Sequence, residues 1–313
     1  MNMIPEDVSF ISQNTKLVGT LYKPKSDRPC PAIVVVHQAS GGEQTDPFYD
    51  HLKTELPKQG FAVLVFDRRG SGDSQGNFET ADFDDLADDV VAAVEYLESR
   101  ADIDGSKIGL HGTSQGGWIA PIAAAKKPEI ACVVAVSASG VSPADQMDYG
   151  VAFHLKQNGF DQIVINKVVE LRTLVNEYFR GNVSRDNAAA ELSRYENEPW
   201  FRDGYLYPSR ELPLDITQDK WHYEMDYEPL SIWKKVKQPT LFLFAEIDEW
   251  VPVEQGMKNF EGATSHLKDV TFKRIKGTNH LMSVSQDENR LKISHEYLDA
   301  LLNWLTSRLA PES

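Results

Sequence analysis

Short apolar runs alternate along this chain with longer segments of mixed polarity. The runs rich in β-branched and aromatic residues are 32–37, 61–67, 107–112, 131–137, 240–246 and 270–277. Because the intervening segments are long enough for helices, this succession predicts a mostly parallel sheet with helices on both faces. Before the first run, residues 6–23 alternate apolar and polar around Asn14 and Thr15, which predicts an antiparallel hairpin at the sheet edge.

Other segments have helical rather than strand periodicity. Residues 81–99 place apolar side chains at helical spacing and carry aspartates in their first turns, which predicts an amphipathic helix with a solvated acidic face, not a cation site. A last amphipathic helix is expected at about residues 290–309.

The strand–helix alternation is interrupted between residues 141 and 227. Helix-like pieces occur there at 144–158, 161–180 and 185–195. An aromatic stretch without a recognisable strand follows, and its rings are those of Trp200, Phe201, Tyr205, Tyr207, Trp221, Tyr223 and Tyr227. We therefore predict one main α/β domain, 1–140 and 228–313, with an inserted helical cap, 141–227, that covers one end of the sheet.

The composition of the chain limits the kinds of molecule that it is expected to bind. The chain has 313 residues, is 41% hydrophobic and carries a net charge of −15, so we expect neither a nucleic acid nor a membrane partner. The N-terminal segment MNMIPEDVSF lacks a signal-peptide pattern, which favours a cytoplasmic protein. Cys30 and Cys132 lie in or beside apolar runs, and we expect buried thiols. The sequence leaves open whether the chain forms a homo-oligomer.

One motif predicts a nucleophile. The strand at 107–112 leads into Gly112-Thr113-Ser114-Gln115-Gly116 and then into a helix-compatible segment. Where a strand runs through a tight turn into a helix, glycines on either side of a serine in the turn allow it to take a strained conformation that exposes its hydroxyl. We therefore interpret Ser114 as a nucleophile; the alternative is a serine that only caps the helix.

A serine hydroxyl needs a base, which a third group must orient. Among the eight histidines, His280 alone follows a late strand in a loop, whereas His37 and His111 precede turns that we expect them to organise. Asp248 lies just past a strand end, and we prefer it to Glu246 as the orienting carboxylate.

The chain order serine, aspartate, histidine, and the segments that surround it, resemble those of the α/β-hydrolase superfamily. The resemblance is to bacterial esterase-like serine hydrolases related to the prolyl-oligopeptidase and serine-aminopeptidase branches. It rests on VVVHQASGG, FDRRGSGDSQG, IGLHGTSQGGWIA, EPLSIWKKVKQPTLFLFAEIDEWVP and KGTNH, and it spans nearly the whole chain. The resemblance implies the α/β-hydrolase fold and a Ser-His-Asp triad. Because zinc-protease, P-loop and dinucleotide motifs are missing from the sequence, we expect no metal and no cofactor.

The resemblance also implies an oxyanion hole made by the backbone N–H groups of Gln115 and Ala39. The family often has glycine where this chain has Gln38, and the Gln38 side chain is therefore a candidate substrate contact. Trp118 is a second candidate, at the pocket floor or in the core. Ser137 and Ser139 are expected to line the pocket without reacting, and the neighbouring arginines 68 and 69 are expected to be structural.

The expected reaction is hydrolysis of a small-molecule carboxylic ester through an acyl-enzyme intermediate. An aminopeptidase or prolyl peptidase would use the same triad, with Glu224, Asp226 and Glu228 as candidate anchors for a free amino terminus. An acyl-CoA thioesterase would need a basic surface, which the net charge disfavours. A non-catalytic binding protein should have lost a triad member. The aromatic cap favours an apolar or aromatic substrate group, unless its rings only pack the cap.

Overall fold

The computed structural model describes residues 4–285 and 291–310. Its strands are β1 (Ile4–Ser12), β2 (Thr15–Lys23), β3 (Cys30–Val36), β4 (Ala62–Phe66), β5 (Ile103–Thr113), β6 (Cys132–Val136), β7 (Thr240–Ala245) and β8 (Val270–Ile275). They form one sheet in the order β1-β2-β4-β3-β5-β6-β7-β8. Strand β2 pairs antiparallel with both β1 and β4, and all other neighbours are parallel. The predicted mostly parallel sheet is confirmed.

The helices flank the sheet or lie in the inserted segment. They are α1 (Asp50–Lys58), α2 (Phe83–Glu98), α3 (Gly116–Lys126), α4 (Pro143–Gln157), α5 (Gln162–Phe179), α6 (Arg185–Leu192), α7 (Lys220–Glu224), α8 (Pro229–Trp233), α9 (Val253–Ala263) and α10 (His295–Leu309). Helix α10 begins later than the predicted 290, because Ser294 caps it by accepting a hydrogen bond from the Tyr297 N–H. Residue 290 itself lies outside the described residues.

Burial explains why the central strands read as continuous apolar runs. Every residue of β3, β4, β6 and β7 is buried, as expected for parallel strands covered on both faces. On one face, alternate side chains of these strands pack against α1 and α10. Helices α2 and α3 contact β3 and β5. Cys30 and Cys132 are buried free thiols, as predicted.

The edge hairpin turns one residue earlier than the sequence suggests. Ser12 pairs with Thr15, so Gln13 and Asn14 form the turn, with φ of 47° and 66°. Two left-handed residues suit a tight hairpin because their twist matches that of the strands, and asparagine tolerates this conformation well.

The chain forms two compact units. The first comprises residues up to Gly140, Pro229–Asp248 and the chain from Val253 onward; the second comprises Val141–Glu228 and Glu249–Pro252. The sequence predicts Glu228 and Glu249–Pro252 in the main domain, whereas in the structure they belong to the second unit. The Trp250 ring lies over Gly150, where an added Cβ would approach it to 2.4 Å, and this fit ties the short segment to α4.

The second unit has a core of its own, built from α4, α5, α6 and the aromatic stretch. Its fully buried members include Val151, Leu155, Val168, Phe179 and Leu192. A role of this unit as a lid remains a prediction. Within residues 4–285 and 291–310, no helix has both the length and the apolar character needed to cross a bilayer.

Candidate active site

Ser114 occupies a strained turn between β5 and α3. Its φ is +52°, a left-handed value that is uncommon for a residue with a side chain. The neighbouring glycines are sterically required: a Cβ on Gly112 would lie 2.2 Å from the Gly116 carbonyl oxygen, and a Cβ on Gly116 would lie 2.3 Å from the Val36 oxygen. The turn therefore leaves the Ser114 hydroxyl partly exposed at the start of a helix, as the motif predicts.

Three side chains far apart in the sequence form one hydrogen-bonded chain. His280 Nε2 lies 3.0 Å from Ser114 Oγ, and its Nδ1 lies 2.9 Å from each Asp248 carboxylate oxygen. Asp248 is 1% exposed and His280 is 7% exposed. With the proton on Nδ1 donated to Asp248, Nε2 carries the lone pair that can accept a proton from Ser114.

Residues on neighbouring loops hold His280 in place. The Ser137 hydroxyl donates to the His280 carbonyl oxygen at 2.6 Å, and Ser137 itself has a left-handed φ of 47°. Glu246 accepts a hydrogen bond from the Gly277 N–H at 2.7 Å. It therefore supports the loop that carries His280 and does not compete with Asp248. Ser137, expected only to line a pocket, is a supporting residue that the sequence analysis missed.

Two backbone N–H groups that the resemblance implicates donate to no other described residue. They belong to Gln115 and Ala39, the pair implied for an oxyanion hole. Arg68 anchors the loop that carries Ala39: its guanidinium donates to the carbonyl oxygens of Gln38 and Ala39 at 3.1 and 3.2 Å and to that of Gly41 at 2.9 Å. Arg68 also lies 3.5 Å from the centre of the Phe78 ring.

The adjacent Arg69 has a different partner. It is buried and forms a two-pronged ion pair with Asp89 of α2, with both N–O distances at 2.7 Å. The pairing fastens the turn after β4 to helix α2. Both arginines thus bond to the protein itself, in line with the structural role expected of them.

The two candidate substrate contacts differ. Trp118 is 5% exposed, and its indole N–H donates to the Ser139 carbonyl oxygen, so it belongs to the interior and has no donor left for a substrate. For Gln38, the backbone N–H donates to the Tyr49 hydroxyl at 3.0 Å, whereas the side-chain amide bonds to no other described residue. Gln38 remains a proposed substrate contact.

The expectation that His111 and His37 organise turns is wrong for His111. Its Nε2 lies 2.9 Å from the Tyr297 hydroxyl of α10, which also lies 3.2 Å from His51 Nε2. Burial lowers the pKa of His111 to about 3 and that of His51 to about 4, so all three groups are neutral at pH 7. His37, at the end of β3, lies 2.6 Å from the Phe66 carbonyl oxygen, and burial lowers its pKa to about 4.

No group of three or more histidine, cysteine, aspartate or glutamate side chains is arranged to hold a metal ion in the part of the chain that the structure describes.

The sheet order and the turn at Ser114 are those of an α/β-hydrolase, and the comparison with known proteins agrees with this class. Residues 13–280 match the X-Pro dipeptidyl-peptidase (S15) family, and the chain therefore belongs to that family. Among the solved structures, an esterase of Pyrococcus furiosus superposes with a TM-score of 0.65 at 19% identity, covering 99% of this chain and 92% of that one. This likeness shows the fold.

Curated relatives include a bifunctional esterase/perhydrolase of Acinetobacter calcoaceticus, 27% identical over 252 residues, which cover 78% of this chain and 84% of that protein. An uncharacterized 31.7 kDa protein of Escherichia coli is 26% identical over 253 residues, covering 80% and 84% respectively. The protein is therefore a hydrolase of the α/β-hydrolase superfamily.

Proposed function

We propose that the protein hydrolyses small-molecule carboxylic esters, with Ser114 as nucleophile, His280 as general base and Asp248 as the group that orients the histidine. The observation that carries the proposal is the continuous chain from Ser114 Oγ through the imidazole to a buried carboxylate, with contacts of 3.0 and 2.9 Å. Such contacts lie within the range required for proton transfer in catalysis.

In the proposed reaction, Ser114 Oγ attacks the ester carbonyl carbon while His280 Nε2 takes its proton. The carbonyl oxygen becomes an oxyanion, and the N–H groups of Gln115 and Ala39 stabilise it. Collapse breaks the bond to the alcohol, which leaves with the proton from His280. A water molecule, deprotonated by the same imidazole, then attacks the acyl-enzyme and releases the acid. Asp248 stays ionised and stabilises the imidazolium in both steps.

Ester chemistry is favoured by the relative described as an esterase, which aligns with most of this chain. Family membership favours a second candidate, removal of a dipeptide from an X-Pro amino terminus. The carboxylates considered as anchors for that amino terminus already have partners: Asp226 binds Arg180 at 2.5 Å, and Glu224 binds Lys220 at 2.9 Å. These ion pairs weaken the peptidase alternative.

A substrate panel separates the candidates. The full chain is assayed with p-nitrophenyl esters of increasing acyl length, with Ala-Pro and Gly-Pro p-nitroanilides, and with an acyl-CoA. We expect turnover of esters that Ser114→Ala abolishes, with weak or no cleavage of the anilides and the thioester. A kcat/KM for an X-Pro anilide that exceeds that of every ester would replace ester hydrolysis with the peptidase function.

Further parts of the proposal are a cytoplasmic location and the lack of nucleic-acid and membrane partners.

A further inference from the structure

The second unit contains a cavity of about 390 Å³. All of its walls come from that unit, between helix α5, the aromatic stretch and the start of α7. Most of the lining is apolar or aromatic and includes Met147, Val175, Tyr207 and Trp221, and its polar side chains are those of Arg172, Asn176 and Glu211. Its volume falls within the roughly 300–1,000 Å³ of small-molecule sites, which combine apolar walls with a few polar groups.

A buried arginine contributes to this lining. Arg172, on α5, is 6% exposed. Its Nε donates to Asp148 at 2.6 Å, and its Nη1 donates to the carbonyl oxygens of Gly204 and Tyr205 at 3.2 and 3.4 Å. Its Nη2 donates to no other residue that the structure describes. Although the side chain as a whole is buried, Nη2 keeps some exposure where Arg172 lines the cavity, so a group bound in the cavity can accept a hydrogen bond from it.

Two further features coincide at the cavity. Tyr205 has a left-handed φ of 51°, and Arg172 holds the strained turn through the Tyr205 carbonyl oxygen. Strain of this kind concentrates at functional sites, where surrounding contacts maintain it. Asn176, one helical turn after Arg172, is also buried; its Oδ1 accepts from the Trp221 indole at 2.9 Å, so its orientation is fixed.

We propose that this cavity binds a small carboxylic acid with an aromatic or apolar body. The body contacts the apolar walls, and the carboxylate accepts hydrogen bonds from Nη2 of Arg172. Because Nε and Nη1 already have acceptors within the chain, Nη2 is the part of the guanidinium that can donate to a ligand, and its hydrogen bond to a carboxylate is charge-assisted and therefore stronger than one to a neutral acceptor. The proposal concerns a ligand site within the second unit, and it does not require that Ser114 be catalytic.

Calorimetric titration of the full chain tests the proposal. The probes are 3-phenylpropionate and its neutral amide, 3-phenylpropanamide. We expect saturable binding of the acid at one site per chain, and binding of the amide at least tenfold weaker. Arg172→Met should weaken binding of the acid at least tenfold and change binding of the amide little. Arg180→Met is the matched control: it removes a guanidinium that pairs with Asp226 near the end of the same helix but does not line the cavity. It should leave both affinities unchanged.

A second variant keeps the test decisive if Arg172→Met does not fold. Val175→Phe fills the cavity while Arg172 is retained, and we expect it to abolish binding of both probes with a melting temperature close to that of the parent chain. The proposal is overturned if the acid does not bind saturably at millimolar concentration. It is also overturned if Val175→Phe binds the acid as tightly as the parent does, or if acid and amide bind equally.

Discussion

Replacing Arg68 by methionine should slow catalysis much more than it weakens binding of the ester. Methionine fills much of the same volume but removes the donors to three carbonyl groups, of which those of Gln38 and Ala39 flank the proposed oxyanion donor. Without them the loop loses its anchor, and the Ala39 N–H moves away from the position that the oxyanion occupies.

The magnitude follows from the loss of one oxyanion donor, which typically lowers kcat about 100- to 1,000-fold, or about 2.7–4 kcal/mol in the activation free energy. The N–H bonds most strongly in the transition state, so KM should change less than kcat. Arg68→Lys keeps the charge, but a single ammonium group cannot donate to all three carbonyl oxygens as the planar guanidinium does. Its kcat should therefore fall between those of the parent and Arg68→Met.

Arg69 provides the matched control, because it is adjacent and equally buried but bonds to Asp89 on α2. Arg69→Met leaves a buried carboxylate without its partner and should cost about 3–5 kcal/mol of folding stability, whereas the double variant Arg69→Met/Asp89→Leu should recover most of it. Both should keep a kcat near that of the parent at temperatures where they are folded.

The assay combines steady-state kinetics on a p-nitrophenyl ester with thermal melting of each variant. If Arg68→Met keeps kcat within threefold of the parent, or if Arg69→Met lowers kcat as much as Arg68→Met does, Arg68 does not position the Ala39 N–H for catalysis.

Three further predictions concern the site and the core. Asp248→Asn, which disfavours the required imidazole tautomer, should lower kcat about 10⁴-fold; a loss below tenfold would contradict the orienting role. Gly116→Ala places a Cβ 2.3 Å from the Val36 oxygen and should lower the melting temperature by several degrees, in a differential scanning experiment against the parent. Burial lowers the pKa of His51 to about 4 and that of His111 to about 3 in the folded chain. Because both imidazoles protonate near pH 6.5 in the unfolded chain, the free energy of unfolding should be highest above about pH 6.5 and should decrease as the pH falls towards 4. Urea unfolding at pH 7 and pH 4.5 should show this decrease, and equal midpoints would refute it.

The sheet was predictable because its strands are buried on both faces and read as apolar runs. The proximity of Ser114, Asp248 and His280 was predictable as well, since each follows the carboxyl end of a parallel strand, and those ends share one edge of the sheet.

Other contacts depend on packing that no local pattern encodes. Ser137 reaches the His280 carbonyl across 143 positions of sequence, through a left-handed backbone that its residue type does not suggest. His111 was expected to serve a turn, but it bonds to Tyr297 on a helix far along the chain. Trp250 joins the second unit because only a glycine at position 150 admits its ring.

Covalent labelling tests whether Ser114 is the nucleophile that His280 activates. The folded chain is treated with a fluorophosphonate, and the labelled site is mapped by peptide mass spectrometry beside Ser114→Ala and His280→Ala variants. We expect one label per chain, on Ser114, whose formation is lost in Ser114→Ala and greatly slowed in His280→Ala, in parallel with ester turnover. Labelling at another residue, or ester turnover that persists in Ser114→Ala, would contradict it.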